Sequence, residues 1–319
     1  MKTLEIRRPD DLHLHFRDGD ALGYTVPATA NVFRRAIVMP NLVPPVTTVA
    51  LASEYRDRIL EVVPEGRAFE PLMVLYLRDD TSAEELIAAA KSDFVHGVKL
   101  YPAGATTNSK SGVTDITALY PQMEVMEAHG LPLLIHGEVT DPSVDVFDRE
   151  KLFIETHLEK IVRKFTKLKI VFEHITSQAA AEFVAAAPDN VAATITPQHL
   201  MHNRNDMLVG GIKPHLYCLP ILKAQADQAA LRKAVASGSP KFFLGTDSAP
   251  HATLTKESSC GCAGCYSAPI ALPLYATIFE ELDILDKLEA FASLHGPRFY
   301  GLEVSEERVV LERGPLTVP

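Results

Sequence analysis

Residues 11–18 (DLHLHFRD) carry the pattern that decides the fold assignment, because a short run of strand character contains two histidines two residues apart. The run at residues 12–16 predicts a β-strand. Side chains at positions i and i+2 of a strand point the same way, so His13 and His15 can reach one metal ion. The His-X-His pattern by itself is equally compatible with two histidines that lie on the surface by chance.

Seven further short runs, most of them apolar throughout, predict strands that are buried on both faces. They are residues 36–39 (AIVM), 72–77 (LMVLYL), 97–101 (GVKLY), 133–136 (LLIH), 170–174 (IVFEH), 191–195 (VAATI) and 242–245 (FFLG). Helical patterns between them cover residues 48–63, 82–90, 177–187 and 227–237, and the second of these begins with a sequence that fits a capping box. This alternation predicts an α/β fold, a (β/α)8 TIM barrel that forms a single domain over residues 1–319. The strand count alone also allows a doubly wound parallel sheet.

The composition is that of a globular protein with a sizeable core, since 47% of the residues are hydrophobic and 23% are charged. The formal net charge of −10 argues against a nucleic-acid binder. No apolar run is long enough to span a membrane, and the first eleven residues do not resemble an export signal. We therefore expect a cytoplasmic protein that binds neither nucleic acid nor membrane.

Polar side chains follow most of the predicted strands at their carboxyl ends. In a barrel these ends converge on one face, where active sites lie. The candidates brought together by this assumption are His13, His15, Asn41, Lys99, His136, His174, Asp247 and His251. A lone His136 or His174 is more often a hydrogen-bonded core histidine, and a lone Asp247 also fits a helix N-cap. The joint pattern is what favours a metal site.

Lys99 differs from the other candidates because a lysine ammonium has no lone pair and cannot bind a cation. A lysine that has reacted with carbon dioxide is a carbamate, whose two oxygens can bridge two ions about 4 Å apart. The residues alone leave Lys99 as an ordinary lysine that pairs with an acid.

Four cysteines occur, at Cys218, Cys260, Cys262 and Cys265, and three of them fall in the loop at residues 249–269. Without an export signal they are expected to be thiols or metal ligands rather than disulfides. A third, structural metal site is one interpretation. Free thiols in an active-site loop are the interpretation we favour.

The combination of DLHLHFRD, MPN (39–41), GVKLYPAGATTNS (97–109), LLIHGE (133–138), IVFEHITS (170–177) and FLGTDSAPH (243–251) resembles dihydroorotases of the class II bacterial type, in the amidohydrolase superfamily. The resemblance runs from about residue 12 to residue 297. The His-X-His pattern with an aspartate after the eighth strand marks only the superfamily. The motifs at 97–109 and 245–251 are far more specific.

The resemblance implies two Zn²⁺ per subunit, bridged by N6-carboxylated Lys99 and by a hydroxide. His13, His15 and Asp247 would hold one zinc. His136 and His174 would hold the second, and His136 would also contact substrate. Asp247 would move the proton during catalysis, which is a role open to an aspartate beside a metal.

The resemblance also implies a substrate site. Arg17 and Asn41 would bind the substrate carboxylate, assisted by His251, and backbone groups near Leu219 and Ala263 would bind the ring amide. Thr106 and Thr107 would lie in a flexible loop that closes over the substrate. An arginine suits this role because its guanidinium pairs with a carboxylate in a bidentate manner.

The implied reaction is the reversible cyclisation of N-carbamoyl-L-aspartate to (S)-dihydroorotate and water, in the biosynthesis of pyrimidines (UMP), by a homodimer. Two alternatives stay open. Another cyclic amidohydrolase, such as a hydantoinase or an allantoinase, would share the metal ligands but not a need for Arg17 and Asn41. A catalytically silent barrel that serves as a scaffold would be expected to lack part of the ligand set, which is complete here.

Overall fold

The computed structural model describes residues 3–315, so residues 1–2 and 316–319 of the predicted domain lie outside the described part. Ten strands are present in this part. They are β1 (Thr3–Arg7), β2 (Asp10–Leu14), β3 (Arg35–Val38), β4 (Glu70–Tyr76), β5 (Val95–Leu100), β6 (Leu133–Ile135), β7 (Ile170–Phe172), β8 (Val191–Ile195), β9 (Phe242–Leu244) and β10 (Arg308–Glu312).

Helices lie between the strands and after them. They are α1 (Leu22–Ala30), α2 (Val49–Leu60), α3 (Ala83–Lys91), α4 (Tyr120–His129), α5 (Arg149–Phe153), α6 (Glu159–Lys164), α7 (Gln178–Ala186), α8 (Pro197–Met201), α9 (Arg204–Leu208), α10 (Gln225–Ala236), α11 (Thr253–Lys256), α12 (Ala271–Glu281) and α13 (His295–Tyr300). Two π-helical segments, Ile154–Leu158 and Ala290–Leu294, directly precede α6 and α13. Within residues 3–315 we find no helix with the length and apolar character needed to cross a membrane.

Strands β2 to β9 form one parallel sheet in chain order, which confirms the predicted barrel. The first and last strands meet where the sheet closes. The amide of His15 donates to the carbonyl of Ser248 at 2.9 Å, and the amide of Asp247 donates to the carbonyl of His13 at 2.8 Å. The hydrogen bonds that close the barrel are therefore made by the backbone of three predicted metal ligands.

Strand side chains divide into two clusters, as the alternation of side chains along a strand requires. The cluster inside the barrel contains Leu12, Ile37, Met39, Leu72, Val74, Leu134, Val171, Ala192 and Phe243. Phe299 and Tyr300 of α13 pack against it. The larger cluster lies between the outer face of the barrel and the helices. With the inside filled by apolar side chains, the polar residues at the carboxyl ends of the strands are left to form a site.

Strand β1 pairs with β10 in a separate antiparallel sheet that we did not predict. Both strands are half exposed and alternate in burial, so they lack the continuous apolar run that marked the barrel strands. The predicted helices are confirmed within a few residues. Ser82 caps α3 through a hydrogen bond from the amide of Glu85, but the Glu85 carboxylate accepts from the amide of Val49 and does not complete the capping box.

Candidate metal and substrate site

Three of the predicted metal ligands converge where the barrel closes. The ligand atoms of His13, His15 and Asp247 all lie within 4.8 Å of one another, and all three residues are deep in the protein. Asp247 Oδ1 is 3.1 Å from His15 Nε2 and 3.4 Å from His13 Nε2. Among residues 3–315 this is the one group of three or more His, Cys, Asp and Glu side chains with the geometry of a metal site.

The second ring nitrogen of each histidine has its own partner. His15 Nδ1 lies 2.8 Å from Asn41 Oδ1, and the Asn41 amide group donates to the carbonyl of Thr107 at 3.0 Å, which fixes the orientation of the amide. His13 Nδ1 contacts the carboxylate of Glu173. Partners of this kind hold the proton on Nδ1 and leave the Nε2 lone pair for a metal.

Burial lowers the pKa of His15 to about 4, so the imidazole is neutral at pH 7. A neutral imidazole has one N–H, yet both ring nitrogens of His15 face oxygen acceptors. With the proton on Nδ1, the Nε2 lone pair faces a carboxylate oxygen. A cation between them would resolve this repulsion.

His174 and His136 lie on the far side of His13. The ring centroids of His13 and His174 are 4.8 Å apart, and those of His174 and His136 are 4.9 Å apart. His174 Nδ1 is buried and has no hydrogen-bond partner among the described residues, whereas His136 Nε2 lies 2.8 Å from Glu138 Oε2. Burial, together with the nearby charge of Lys99, lowers the pKa of His174 well below its ordinary value, so His174 is also a neutral imidazole.

The backbone at these strand ends is unusual. Arg17, His174 and Asp247 have φ angles of 65°, 42° and 47°, in the left-handed region that non-glycine residues rarely adopt. Such conformations cluster at functional sites, where the surrounding structure holds them in place. The site is thus built on positions where the chain leaves each strand abruptly.

Lys99 is completely buried and its Nζ donates to Glu173 Oε2 at 2.9 Å. Glu173 is a site residue that our sequence analysis missed. The available signal was a single acidic residue inside the apolar run at 170–174. Although burial opposes ionisation, the charges of His13 and Lys99 hold the pKa of the Glu173 carboxyl below its ordinary value.

The donor set fits a metal. The imidazoles of His13 and His15 converge with the carboxylate of Asp247, and the Nε2 of His13 and the Nδ1 of His174 are buried without hydrogen-bond partners in the described part of the chain. Unmodified Lys99 cannot join them, because its ammonium carries no lone pair. His13, His15 and Asp247 are therefore the three residues whose present geometry suits one ion.

A small pocket opens above this cluster. Its lining consists of His15, Arg17, Asn41, Tyr101, Thr106, Thr107, His136, His174, Leu219, Asp247, Ala249, Ala263 and Gly264. Arg17 is the one lysine or arginine in this lining, and it brings a positive charge to a pocket that otherwise holds neutral groups and Asp247. Such a pocket suits a small anion.

His251 is the one predicted substrate residue that does not line the pocket. Its Nε2 lies 3.1 Å from an Arg17 guanidinium nitrogen and 3.0 Å from the carbonyl of Ala263. Burial and the charge of Arg17 lower the pKa of His251 to about 4, so it is neutral at pH 7. In this structure His251 therefore contacts the Arg17 guanidinium from outside the pocket.

Comparison with known proteins agrees with this site. The amidohydrolase family model matches residues 11–306. The dihydroorotase of Hahella chejuensis is 61% identical over 319 residues, which cover 100% of this chain and 92% of that protein. The chain belongs to the dihydroorotases of the amidohydrolase family.

Solved structures show the same relationship. The crystal structure of dihydroorotase from Campylobacter jejuni is 38% identical with a TM-score of 0.88, covering 97% of this chain and 88% of that one. Dihydroorotase from Saccharomyces cerevisiae, solved in complex with 5-fluoroorotic acid, is 34% identical with a TM-score of 0.87, covering 95% and 86%. This amidohydrolase is thus an enzyme of the cyclic amidohydrolase class.

A loop lies over the pocket of this amidohydrolase. Thr107 Oγ1 donates to the carbonyl of Ala263 at 3.4 Å, and Asn108 Nδ2 donates to the carbonyl of Asn41 at 3.0 Å. Together with the bond from Asn41 to Thr107, these contacts attach the loop to two sides of the pocket. Thr106 also lines it. For the loop to open, the two hydrogen bonds of 3.0 Å between Asn41 and residues 107 and 108 would have to break.

The four cysteines of this amidohydrolase form no disulfide bond, as we expected. Their sulfur atoms point to different partners. Cys218 Sγ faces the carbonyl of Pro220 and Cys265 Sγ faces that of His215, while the sulfurs of Cys260 and Cys262 are 3.5 Å apart. The geometry of the described residues gives no support to a structural metal held by these cysteines.

Proposed function

We propose that the protein catalyses the reversible interconversion of N-carbamoyl-L-aspartate and (S)-dihydroorotate, as a zinc enzyme of pyrimidine biosynthesis. The observation that carries the proposal is the position of Arg17 beside the His13, His15 and Asp247 cluster, in a chain 61% identical to a dihydroorotase along its whole length. The 5-fluoroorotic acid bound by the yeast relative is also a small ring carboxylate, which agrees with this choice of substrate.

The proposed metal centre holds two Zn²⁺ ions. His13, His15 and Asp247 would hold one, His136 and His174 would hold the other, and Lys99 in its carboxylated form would supply oxygen ligands to both. When bound, zinc would lower the pKa of a water molecule to about 7, and it would also polarise the amide carbonyl of the substrate. His136 Nε2 contacts Glu138, so Nδ1 is the ring nitrogen that is free to bind the metal.

The side chains of the pocket would then divide the remaining work. The Arg17 guanidinium binds the substrate carboxylate, and Asn41 adds a donor once the loop contact to Thr107 is released. Backbone groups of Leu219 and Ala263 orient the ring amide. These contacts hold the reacting carbonyl in a fixed position and orientation. Holding the reacting groups in this way increases the reaction rate.

Asp247 is the proposed proton carrier. Although burial opposes ionisation, its contacts with His13 and His15 hold the pKa of Asp247 well below its ordinary value, so it is a carboxylate at neutral pH. In hydrolysis it accepts a proton from the attacking water and delivers it to the leaving ring nitrogen. In cyclisation the steps reverse, and Asp247 must begin protonated.

The test is turnover of dihydroorotate against hydantoin by the purified protein, with chromatographic detection of the ring-opened products and metal analysis by mass. We expect dihydroorotate to be the preferred substrate and two zinc ions per chain. A variant Arg17→Met should lose activity on dihydroorotate while any residual turnover of hydantoin is unchanged. Preference for hydantoin, or equal loss on both substrates, would contradict the proposed role of Arg17.

The homodimer and the cytoplasmic location stay predictions. Sedimentation of the full chain tests the first. The location is tested by fractionation of cells that produce the protein.

A further inference from the structure

Glu173 occupies a position that the proposed reaction does not use. It follows β7 directly, its side chain is fully buried, and it lies beneath the metal cluster and not in the substrate pocket. One of its oxygens, Oε2, contacts both His13 Nδ1 and Lys99 Nζ. The other, Oε1, has no hydrogen-bond partner among the described residues.

We propose that Glu173 is a positioning residue that orients two metal ligands at once, His13 through its Nδ1 and Lys99 through its Nζ. The inference rests on the proposed function, because it requires that His13 and Lys99 hold metal. It adds a residue that acts through the ligands and touches neither metal nor substrate.

The first part of the argument concerns His13. An ionised carboxylate can only accept hydrogen bonds, so the ring nitrogen that faces Glu173 must carry the proton. The Nε2 of His13 is then left with its lone pair, directed to the side where Asp247 Oδ1 lies 3.4 Å away. Carboxylate partners of this kind fix the tautomer and ring orientation of metal-bound histidines.

The second part concerns Lys99. In carboxylation, the neutral amine attacks carbon dioxide, a bond forms between Nζ and carbon, and one proton leaves Nζ for solvent. The resulting carbamate nitrogen keeps one N–H. Because Nζ lies 2.9 Å from Glu173 Oε2, this N–H can still donate to Glu173 after the reaction. The new carboxylate must then leave Nζ in a direction other than that of Glu173.

A single oxygen thus sets the direction of two ligands. If Glu173 were removed, His13 could turn its proton to Nε2, and the nitrogen of Lys99 would lose its only side-chain acceptor among the described residues. Both changes would weaken metal binding. Loss of partners at this distance from a metal commonly costs 10- to 100-fold in affinity.

The test compares Glu173→Met with Glu150→Met in the full-length protein, because methionine is close to glutamate in size and carries no acceptor oxygen. Glu150 is a matched control, because it is equally buried and its carboxylate accepts hydrogen bonds from the backbone and hydroxyl groups of Thr176 and Ser177 and from no predicted ligand. The first measurement is zinc affinity by competition with a chelator. The second is the carbon-13 signal of the lysine carbamate after incubation with zinc and labelled bicarbonate.

We expect Glu173→Met to bind zinc 10- to 100-fold more weakly and to lose most of the carbamate signal, while Glu150→Met stays within about twofold of the unmodified protein. Wild-type affinity and a full carbamate signal in Glu173→Met would overturn the proposal. An equal loss in Glu150→Met would also overturn it, because the effect would then follow from general destabilisation.

Should Glu173→Met not fold, Glu173→Asp decides, because aspartate keeps the charge but its side chain is one methylene shorter, which moves the oxygen away from His13 and Lys99. We expect at least a tenfold weaker zinc affinity in that variant, and wild-type affinity would overturn the proposal. Neither measurement uses substrate. A protein that does not turn over dihydroorotate but still loses zinc on Glu173→Met would therefore contradict the proposed reaction and leave the role of Glu173 standing.

Discussion

Gly245, between β9 and Asp247, offers a prediction whose size follows from the coordinates. A Cβ added there would lie 2.7 Å from both Cβ and Cγ2 of Thr194 and 3.0 Å from Cβ of His13. Carbon atoms prefer separations of about 3.5–4.0 Å, so Thr194 would have to move by roughly 1 Å and His13 by roughly 0.5 Å. The Cβ atoms of Thr194 and His13 are fixed to barrel strands and cannot rotate away. Gly245→Ala must therefore distort the strands that carry the metal site.

Overpacking of this kind costs about 1–3 kcal/mol, and the rigidity of the neighbours favours the upper end. Replacing glycine by alanine also reduces the entropy of the unfolded chain, which stabilises the folded protein by about 0.5–1 kcal/mol. The net expectation is a loss of about 2 kcal/mol, or about 4 °C in Tm for a chain of this size. Because His13 is pushed, zinc affinity should fall as well.

Gly23 provides the control. It lies near the start of α1, is exposed, and an added Cβ meets no atom within 4 Å. Gly23→Ala should stabilise the protein by about 0.5–1 kcal/mol, so the two substitutions are expected to change Tm in opposite directions. Calorimetry of both variants, with and without zinc, measures this. A Tm for Gly245→Ala equal to or above that of the unmodified protein would refute the packing argument.

Three further predictions follow from single contacts. Hydrolysis requires the Asp247 carboxylate and cyclisation requires its protonated form, so the two directions should have opposing pH profiles with cyclisation favoured at lower pH, and identical profiles would exclude this role. Thr107→Ala removes the bond to Ala263, so turnover should fall with zinc content unchanged, and zinc loss would instead mean that the loop is structural. Burial lowers the pKa of His199 to about 4, so stability is complete above pH 6.5 and is lost as pH falls towards 4, by up to about 3 kcal/mol. Because His15, His174 and His251 also have lowered pKa values, His199→Gln should reduce the acid slope in urea unfolding and not abolish it, and an unchanged slope would exclude a contribution from His199.

Much of the fold could be predicted because the barrel strands carry their own signal. Runs such as residues 72–77 are apolar at every position, and only a strand buried on both faces tolerates this in a short segment. The strands β1 and β10 have no such run, and they pair across nearly the whole length of the chain. Their pairing depends on a meeting of distant segments that no local pattern records.

The site was predictable to the same extent. Residue types with lone pairs followed the strands, so the convergence of His13, His15 and Asp247 needed only the barrel assumption. The strand geometry behind the argument was less simple, because β2 ends at Leu14 with a register irregularity and His15 lies just beyond it. Leu12 points inside the barrel while Leu14 joins the outer cluster. The two imidazoles meet one carboxylate through this irregularity as well as through the spacing of two.

The sequence by itself determined where the barrel strands lie along the chain, the α/β class of the fold and the set of groups available to bind metal, because each of these follows from residue type and local periodicity. Only the tertiary structure decided which groups share a partner. Glu173 is 160 residues from His13 and 74 from Lys99 along the chain, yet one of its oxygens contacts both. That contact depends on the stagger of three barrel strands, which is a property of the closed sheet and not of any one segment.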